Sequence, residues 1–401
     1  VTRTEQVIAQ TEKVTAPNYA PLPVVISRAE GVWAWDIEGR RYLDCISAYS
    51  SLNQGHRHPR ILQALLTQAG RVTLTSRAVH NDRMGSFLEK LCAAADVEMA
   101  LPMNTGAEAV ETAIKLVRKW GYRRKGVGQD RAEIVVCRDN FHGRTTTIVG
   151  FSSEPQYRED FGPFAPGFPL VDFGDIDALA AAFNPNTVAF MVEPIQAEAG
   201  IIIPPPGYLT AARRLCSEHE ALFVLDEIQT GLGRTGRLFD YQHEPDAEPD
   251  LLVVGKALGG GVYPVSAVLG PAAILQLLRP GDHGSTFGGN PLASAVGEAS
   301  LDVILDSRLP ARAEELGRYL LERLQTALVS APVRAVRGRG LLIGIEIDRE
   351  SGTARQFCEK LLERGVLSKD THAQVIRLAP PLIVAKQELD WLVEQLEAVL
   401  R

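Results

Sequence analysis

LLVVGKALGGG, residues 251–261, joins an apolar run to a lone cation set among glycines. Leu251 to Val254 read as a short strand buried on both faces. Lys256 follows one glycine later, and Gly259, Gly260 and Gly261 come soon after. Lysine is among the residues least often buried without a partner. An amine at the end of a core strand therefore asks for a chemical reason, and the glycines suggest room for a flat ligand beside it.

Three other runs share the pattern. EIVVC (133–137), VAFMVEP (188–194) and ALFVLDE (221–227) are nearly continuous in apolar residues. Strands of this kind occur in parallel sheets covered by helices. Between them lie helical patterns such as EAVETAIKLVRKW (108–120), where Val110, Ala113, Ile114 and Val117 recur at helical spacing. The alternation predicts an α/β fold, with a large domain over 51–300 built on a mostly parallel central sheet flanked by helices. Residues 1–50 read as an arm and a small antiparallel segment, since VVISRAEGVWAWDIEGRRYLD (24–44) alternates around Glu38-Gly39. From about 301 the character changes. A long amphipathic helix (311–328), the Gly-rich strand entry VRGRGLLIGIEID (336–348) and a last helix (386–400) predict a smaller C-terminal α+β domain over 301–401.

Bulk properties narrow the function. The 401 residues exceed what one core usually holds. A net charge of −7 argues against general affinity for nucleic acid or anionic membrane. The basic run RKWGYRRK (118–125) closes a helical pattern, where cations suit the dipole. Five cysteines without a C-x-x-C spacing read as reduced thiols. No apolar run is long enough to span a bilayer, and residues 1–23 lack an apolar targeting core. A soluble cytoplasmic protein is expected.

In open α/β sheets, ligands sit beyond the carboxyl ends of the strands. Glu193-Pro194 follows VAFMV, Asp226-Glu227-Ile228-Gln229 follows ALFVL, and Lys256 follows LLVVG. Two acids and an amine are aimed at a common edge. PMNTGAEAVETAIK (102–115) brings Asn104, Thr105 and Gly106 into a helix start, which suits a phosphate or simply forms an N-cap. Asp226 and Lys256 read either as a structural ion pair or as part of a cofactor site. Pyridoxal phosphate requires a Schiff-base lysine, an acid at its ring nitrogen and a phosphate cradle, and all three have candidates here. Arg144 in DNFHGRTT and Arg377 in VIRLAPP are candidate carboxylate grips.

Two motifs point elsewhere. GLGRTG (231–236) matches a dinucleotide fingerprint but opens no helical pattern, which disfavours a nicotinamide-dependent dehydrogenase. NQGHRHP (53–59) brings two histidines close, yet Gly and Pro make a turn the simpler reading than a metal site.

NTGAEAVETAIK, NFHGRT, VEPIQAEAG, FVLDEIQTGLGRTG, GKALGGGVYPVSAV, HGSTFGGNPL and VIRLAPPL, taken in order, resemble the class III, fold-type-I aminotransferases. The likeness runs from about Tyr19 to the last helix. It implies that Lys256 holds pyridoxal 5′-phosphate, that Asp226 bonds the pyridine nitrogen with Gln229 near the phenolic oxygen, and that Phe141 stacks on the ring. It implies backbone donation to the phosphate from Gly106 and Ala107, and a reach by Thr286 across a homodimer interface. Thr105, His142 and Ser285 join the cofactor set on the same ground. Tyr49 and Arg144 are expected to hold the α-amino and α-carboxylate groups of ornithine. Arg377 is expected to bind the α-carboxylate of 2-oxoglutarate or glutamate, with Glu198 pairing it in the other half-reaction. The implied reaction is δ-transamination of ornithine, with N-acetylornithine or 4-aminobutyrate as alternative donors. Val79 in SRAVHN and Ala197 in QAEAG depart from the family's usual aromatic and glycine, and both are expected to reshape the substrate pocket.

Overall fold

The computed structural model describes all residues, 1–401. Near the N-terminus, β1 (Ile26–Glu30), β2 (Trp33–Asp36) and β3 (Arg41–Asp44) form an antiparallel meander. The β2–β3 turn forms because Asp36 Oδ1 accepts the amides of Glu38 and Arg40, at 3.0 and 2.8 Å. A short acid side chain of this kind closes a turn in place of backbone.

The central sheet has seven strands. They are β4 (Met99–Met103), β5 (Glu133–Cys137), β6 (Leu170–Val171), β7 (Thr187–Val192), β8 (Leu222–Asp226), β9 (Leu251–Val254) and β10 (Ser266–Gly270). Their order is β4-β10-β9-β8-β7-β5-β6. All run parallel except β10, which is antiparallel to both β4 and β9. Residues 255–265 link β9 to β10 without a crossover helix, too short a link for a parallel return. Every residue of β7, β8 and β9 is buried. On one face, Val110, Ala113, Ile114 and Val117 of the helix Gly106–Trp120 share an apolar cluster with Ile134, Val136, Val224 and Val253. On the other, Leu209, Ala212 and Cys216 of the helix Tyr208–Glu218 cluster with Phe190, Phe223 and Leu225. Burial on both faces explains the unbroken apolar runs.

The C-terminal part adds β11 (Val333–Arg339), β12 (Leu342–Ile347), β13 (Val366–Leu367), β14 (Lys369–Thr371) and β15 (Val375–Leu378). Four of them form an antiparallel sheet in the order β11-β12-β15-β14. The fifth, β13, pairs in parallel with β3, Val366 opposite Leu43. The N-terminal meander therefore completes its sheet with a strand from the far end of the chain.

GLGRTG makes a second tie between the N-terminal and C-terminal parts. Arg234 is fully buried and donates to the carbonyls of Leu341 and Pro380 and to Asn53 Oδ1, at 2.9, 2.6 and 2.6 Å. The loop opens no helix. In the NQGHRHP turn, His56 Nε2 meets Asp44 Oδ2 at 2.8 Å, and no group of three His, Cys, Asp or Glu could hold a metal. No helix is long and apolar enough to cross a membrane.

Candidate active site

The ends of β7, β8 and β9 bring Glu193, Asp226 and Lys256 to one edge of the sheet, as the sequence implies. Asp226 is 5 % exposed. Its Oδ2 pairs with His142 Nδ1 at 2.7 Å and its Oδ1 accepts the Ile228 amide at 3.1 Å. Burial opposes charge on His142, but the hydrogen bond and charge of Asp226 prevail and raise its pKa. Glu193 accepts the Phe141 amide at 2.7 Å. Burial pushes its pKa up to about 8, with the Asp226 charge adding to the effect.

Lys256 is half-buried and sits in the left-handed region at φ 45°. That conformation is costly for a residue with a Cβ and marks strain at functional positions. Its amine makes no hydrogen bond or ion pair. Burial, helped by the nearby Arg377 charge, outweighs the pull of Glu198 and holds its pKa down to about 8. Two of the glycines after it are in close approach to the chain itself, Gly261 to Leu52 and Gly260 to Ile61. A Cβ on Gly260 would stand 2.8 Å from Ile61 Cδ1, so that glycine makes room for the protein's own helix Pro59–Ala69. Gln54 Nε2 and Ser300 Oγ fix the carbonyl of Ala257, at 3.0 and 2.7 Å.

A second group of residues surrounds Arg377 on β15. This side chain is buried and donates from Nη1 to Glu198 Oε1 at 2.5 Å. Gln229 Nε2 donates to the same oxygen at 3.3 Å. Burial would raise the Glu198 pKa, but Arg377 and Lys256 keep it below its ordinary value. The Tyr49 ring lies under the guanidinium, 5.1 Å from its carbon. Tyr49 belongs to a run, Ser47–Ser50, in which all four residues have positive φ.

A third group is aromatic. Phe141 meets Tyr157 edge-on at 6.4 Å, and Arg144 lies 3.5 Å over the Tyr157 ring and 5.3 Å over that of Phe141. Arg144 is exposed and has no carboxylate partner.

The fourth group is the helix start. Thr105 caps the helix Gly106–Trp120 by accepting the Glu108 amide, while Glu108 takes the amides of Asn104 and Thr105. The amides of Gly106 and Ala107 are left without an acceptor. A Cβ on Gly106 would stand 2.9 Å from Ile228 Cδ1, so a larger residue there would have to displace that side chain. Asn104 Nδ2 donates to Ser285 Oγ at 3.0 Å, which brings Ser285 to this turn. Thr286 is exposed and bonds to nothing in its own chain.

Four polar groups stand unused in this region. They are the Lys256 amine, His142 Nε2, Gln229 Oε1 and Arg377 Nη2, the last three buried without partners. Together with two free amides at a helix start, they fit a planar, phosphorylated aldehyde and a carboxylate. Tyr157, in the short helix Pro155–Arg158, gave no signal in the sequence, since QYRED is polar and without a periodic pattern. Val79 is 59 % exposed. Ala197 is fully buried with Ile195, Ile201, Leu342 and Ala379, so its methyl packs the loop before Glu198 instead of filling the pocket.

The family model of the class-III aminotransferases matches residues 14–400. Ornithine aminotransferase from Brevibacillus brevis is 55 % identical over 401 residues, covering 100 % of this chain and 99 % of that protein. Among solved structures, an ornithine aminotransferase from Toxoplasma gondii, described with partial occupancy of pyridoxal phosphate at its active site, superposes with a TM-score of 0.97 at 44 % identity. That comparison covers 99 % of this chain and 94 % of the other. Acetylornithine aminotransferase from Elizabethkingia anophelis gives 0.90, also at 44 % identity, over 100 % and 99 % of the two chains.

Proposed function

Because the chain belongs to the class-III aminotransferases, a pyridoxal-phosphate-dependent family, we propose that it transfers the δ-amino group of L-ornithine to 2-oxoglutarate. The products are glutamate and glutamate 5-semialdehyde, which cyclises to pyrroline-5-carboxylate. Full-length relatives that carry the ornithine name support the substrate. The observation that carries the reading is Glu198 paired with buried Arg377 beside an uncharged-prone lysine.

Bound pyridoxal phosphate supplies an aldehyde that takes up the amino group and a ring that accepts the electron pair left by a departing proton. Lys256 would hold it, Asp226 would face its ring nitrogen, and the amides of Gly106 and Ala107 with Thr105 and Ser285 would hold its phosphate. Phe141 would lie against the ring, and Gln229 would offer its free amide to the phenolic oxygen. His142 orients Asp226 from behind. An amine with a pKa near 8 exchanges protons readily at neutral pH, so Lys256 is suited to carry one from the substrate carbon and return it.

Substrate choice rests on charge. While Glu198 neutralises Arg377, the ornithine α-carboxylate is directed to Arg144 and its α-amine to Tyr49, which leaves the δ-amine to react. When Glu198 turns away, Arg377 grips 2-oxoglutarate through its fork. Competing charge of this kind lets one pocket take two unlike substrates.

A homodimer with sites at the interface accords with Thr286, Val79 and Phe287, all exposed, on segments tied by Asn81 Nδ2 to the Gly289 carbonyl. A reducing, cytoplasmic setting accords with five unpaired cysteines. N-acetylornithine is the second candidate donor, favoured by the equal identity of the acetylornithine enzyme. A donor panel comparing kcat/KM for ornithine, N-acetylornithine and 4-aminobutyrate, with detection of pyrroline-5-carboxylate, decides. Ornithine is expected to lead, and any other leader overturns the reading.

A further inference from the structure

Glu198 lies in a loop that is closed and pinned. Gln196 and Ile202 bond to each other's backbone in both directions, at 3.1 and 3.0 Å. Arg337 donates from Nε and Nη2 to the Gly200 carbonyl, at 3.0 and 2.7 Å, and from Nε to that of Ile201 at 3.1 Å. Gln196 Nε2 donates to the Arg138 carbonyl at 2.6 Å. These contacts hold the loop on either side of Glu198. A single side chain holds the backbone of Glu198 itself, through a hydrogen bond from Thr371 Oγ1 to the Glu198 carbonyl.

Thr371 is buried and ends β14. Its strand pairs with β15, where Lys369 stands opposite Arg377 and Thr371 opposite Val375. The hairpin between them turns through His372 and Ala373, both left-handed, at φ 47° and 58°. One hairpin thus carries Arg377 and the hydroxyl that fixes the backbone of its partner acid.

We propose that Thr371 is a positioning residue for the Glu198–Arg377 pair, making the acid a side-chain switch on a stationary backbone. The proposal rests on the aminotransferase reading above. Without the tether, the Glu198 carboxylate loses its fixed origin and pairs less often with Arg377. The guanidinium is then more often free for a carboxylate ligand.

The test uses the cofactor-loaded protein, wild type, Thr371→Val and Thr371→Ser. Valine keeps the shape and removes the donor; serine keeps the donor. Glutarate binding, followed by calorimetry, needs Arg377 but no turnover and no ornithine. Thr371→Val is expected to bind glutarate about two- to tenfold more tightly, the range one neutral hydrogen bond is worth. The ratio of kcat/KM for ornithine over glutamate is expected to fall by a similar factor. Thr371→Ser is expected to match wild type in both. Unchanged or weaker glutarate binding in Thr371→Val overturns the proposal. So does an equal loss for both donors, or a serine variant that behaves like valine. If wild type fails to use ornithine but the glutarate result holds, the substrate reading falls and the tether stands.

Discussion

Glu198 Oε1 lies 2.5 Å from Arg377 Nη1, while the second terminal nitrogen of that buried guanidinium has no acceptor. The arginine is half satisfied. It is matched by one acid oxygen and retains capacity for a second anionic partner. Glu198→Ala is therefore expected to expose Arg377 permanently. The ornithine-to-glutamate preference should drop by about tenfold or more, since charge-assisted bonds are worth ~1.5–3 kcal/mol. Steady-state kinetics with both donors measure this, and an unchanged preference counts against the masking role.

Cofactor uptake should report the Lys256 amine directly. Only its neutral form attacks an aldehyde, and burial holds its pKa to about 8. Mixing cofactor-free protein with pyridoxal phosphate should give a rate that rises about tenfold per pH unit well below 8 and levels off above it. A rate still climbing steeply at pH 10 would show an ordinary lysine. The same shift acts on stability. The folded pKa lies below the unfolded one, so the unfolded chain binds more protons between them. Unliganded protein should gain stability as pH rises from about 8 towards 10.5, and Lys256→Met should lack that gain.

Four consecutive left-handed residues, Ser47 to Ser50, place Tyr49 under Arg377. Such geometry costs roughly 1–2 kcal/mol at each non-glycine residue. Ala48→Gly should relieve part of it, raising stability by about 0.5–1 kcal/mol after the entropy that glycine adds to the unfolded chain. The same change should raise KM for ornithine, because Tyr49 is then less firmly held. Thermal unfolding and kinetics together check it; a stability loss with unaltered KM would refute the strain account.

Arg234 joins three separate parts of the chain through Asn53, Leu341 and Pro380. A lysine cannot reproduce its fork. Arg234→Lys should cost about 2–4 kcal/mol, from buried acceptors left unpaired. Urea midpoints of the two proteins measure it, and equal midpoints would remove the clamp.

The sheet edge was readable because β7, β8 and β9 are buried on both faces, so their apolar runs end abruptly where chemistry begins. Asp226 and Lys256 follow from those endings alone. The antiparallel direction of β10 did not, since SAVLG carries no mark of direction and only the short 255–265 link decides it. The glycines after Lys256 are open to two readings for a related reason. Sequence shows that a close approach exists but not what approaches, and at Gly260 it is Ile61. Thr371 was silent because its role depends on Glu198, far along the chain, and Tyr157 because its contact with Arg144 follows no local period.

The pairing of Val366 with Leu43 has a consequence for biosynthesis. The free edge of β3 leaves the ribosome about 320 residues before the strand that covers it. At roughly 5–20 residues per second, that edge stays open for some tens of seconds on each nascent chain. An uncovered strand edge is a template for wrong pairing. The window closes only when the C-terminal segment emerges, so premature termination shortly before Val366 should yield chains that aggregate through their N-terminal meander.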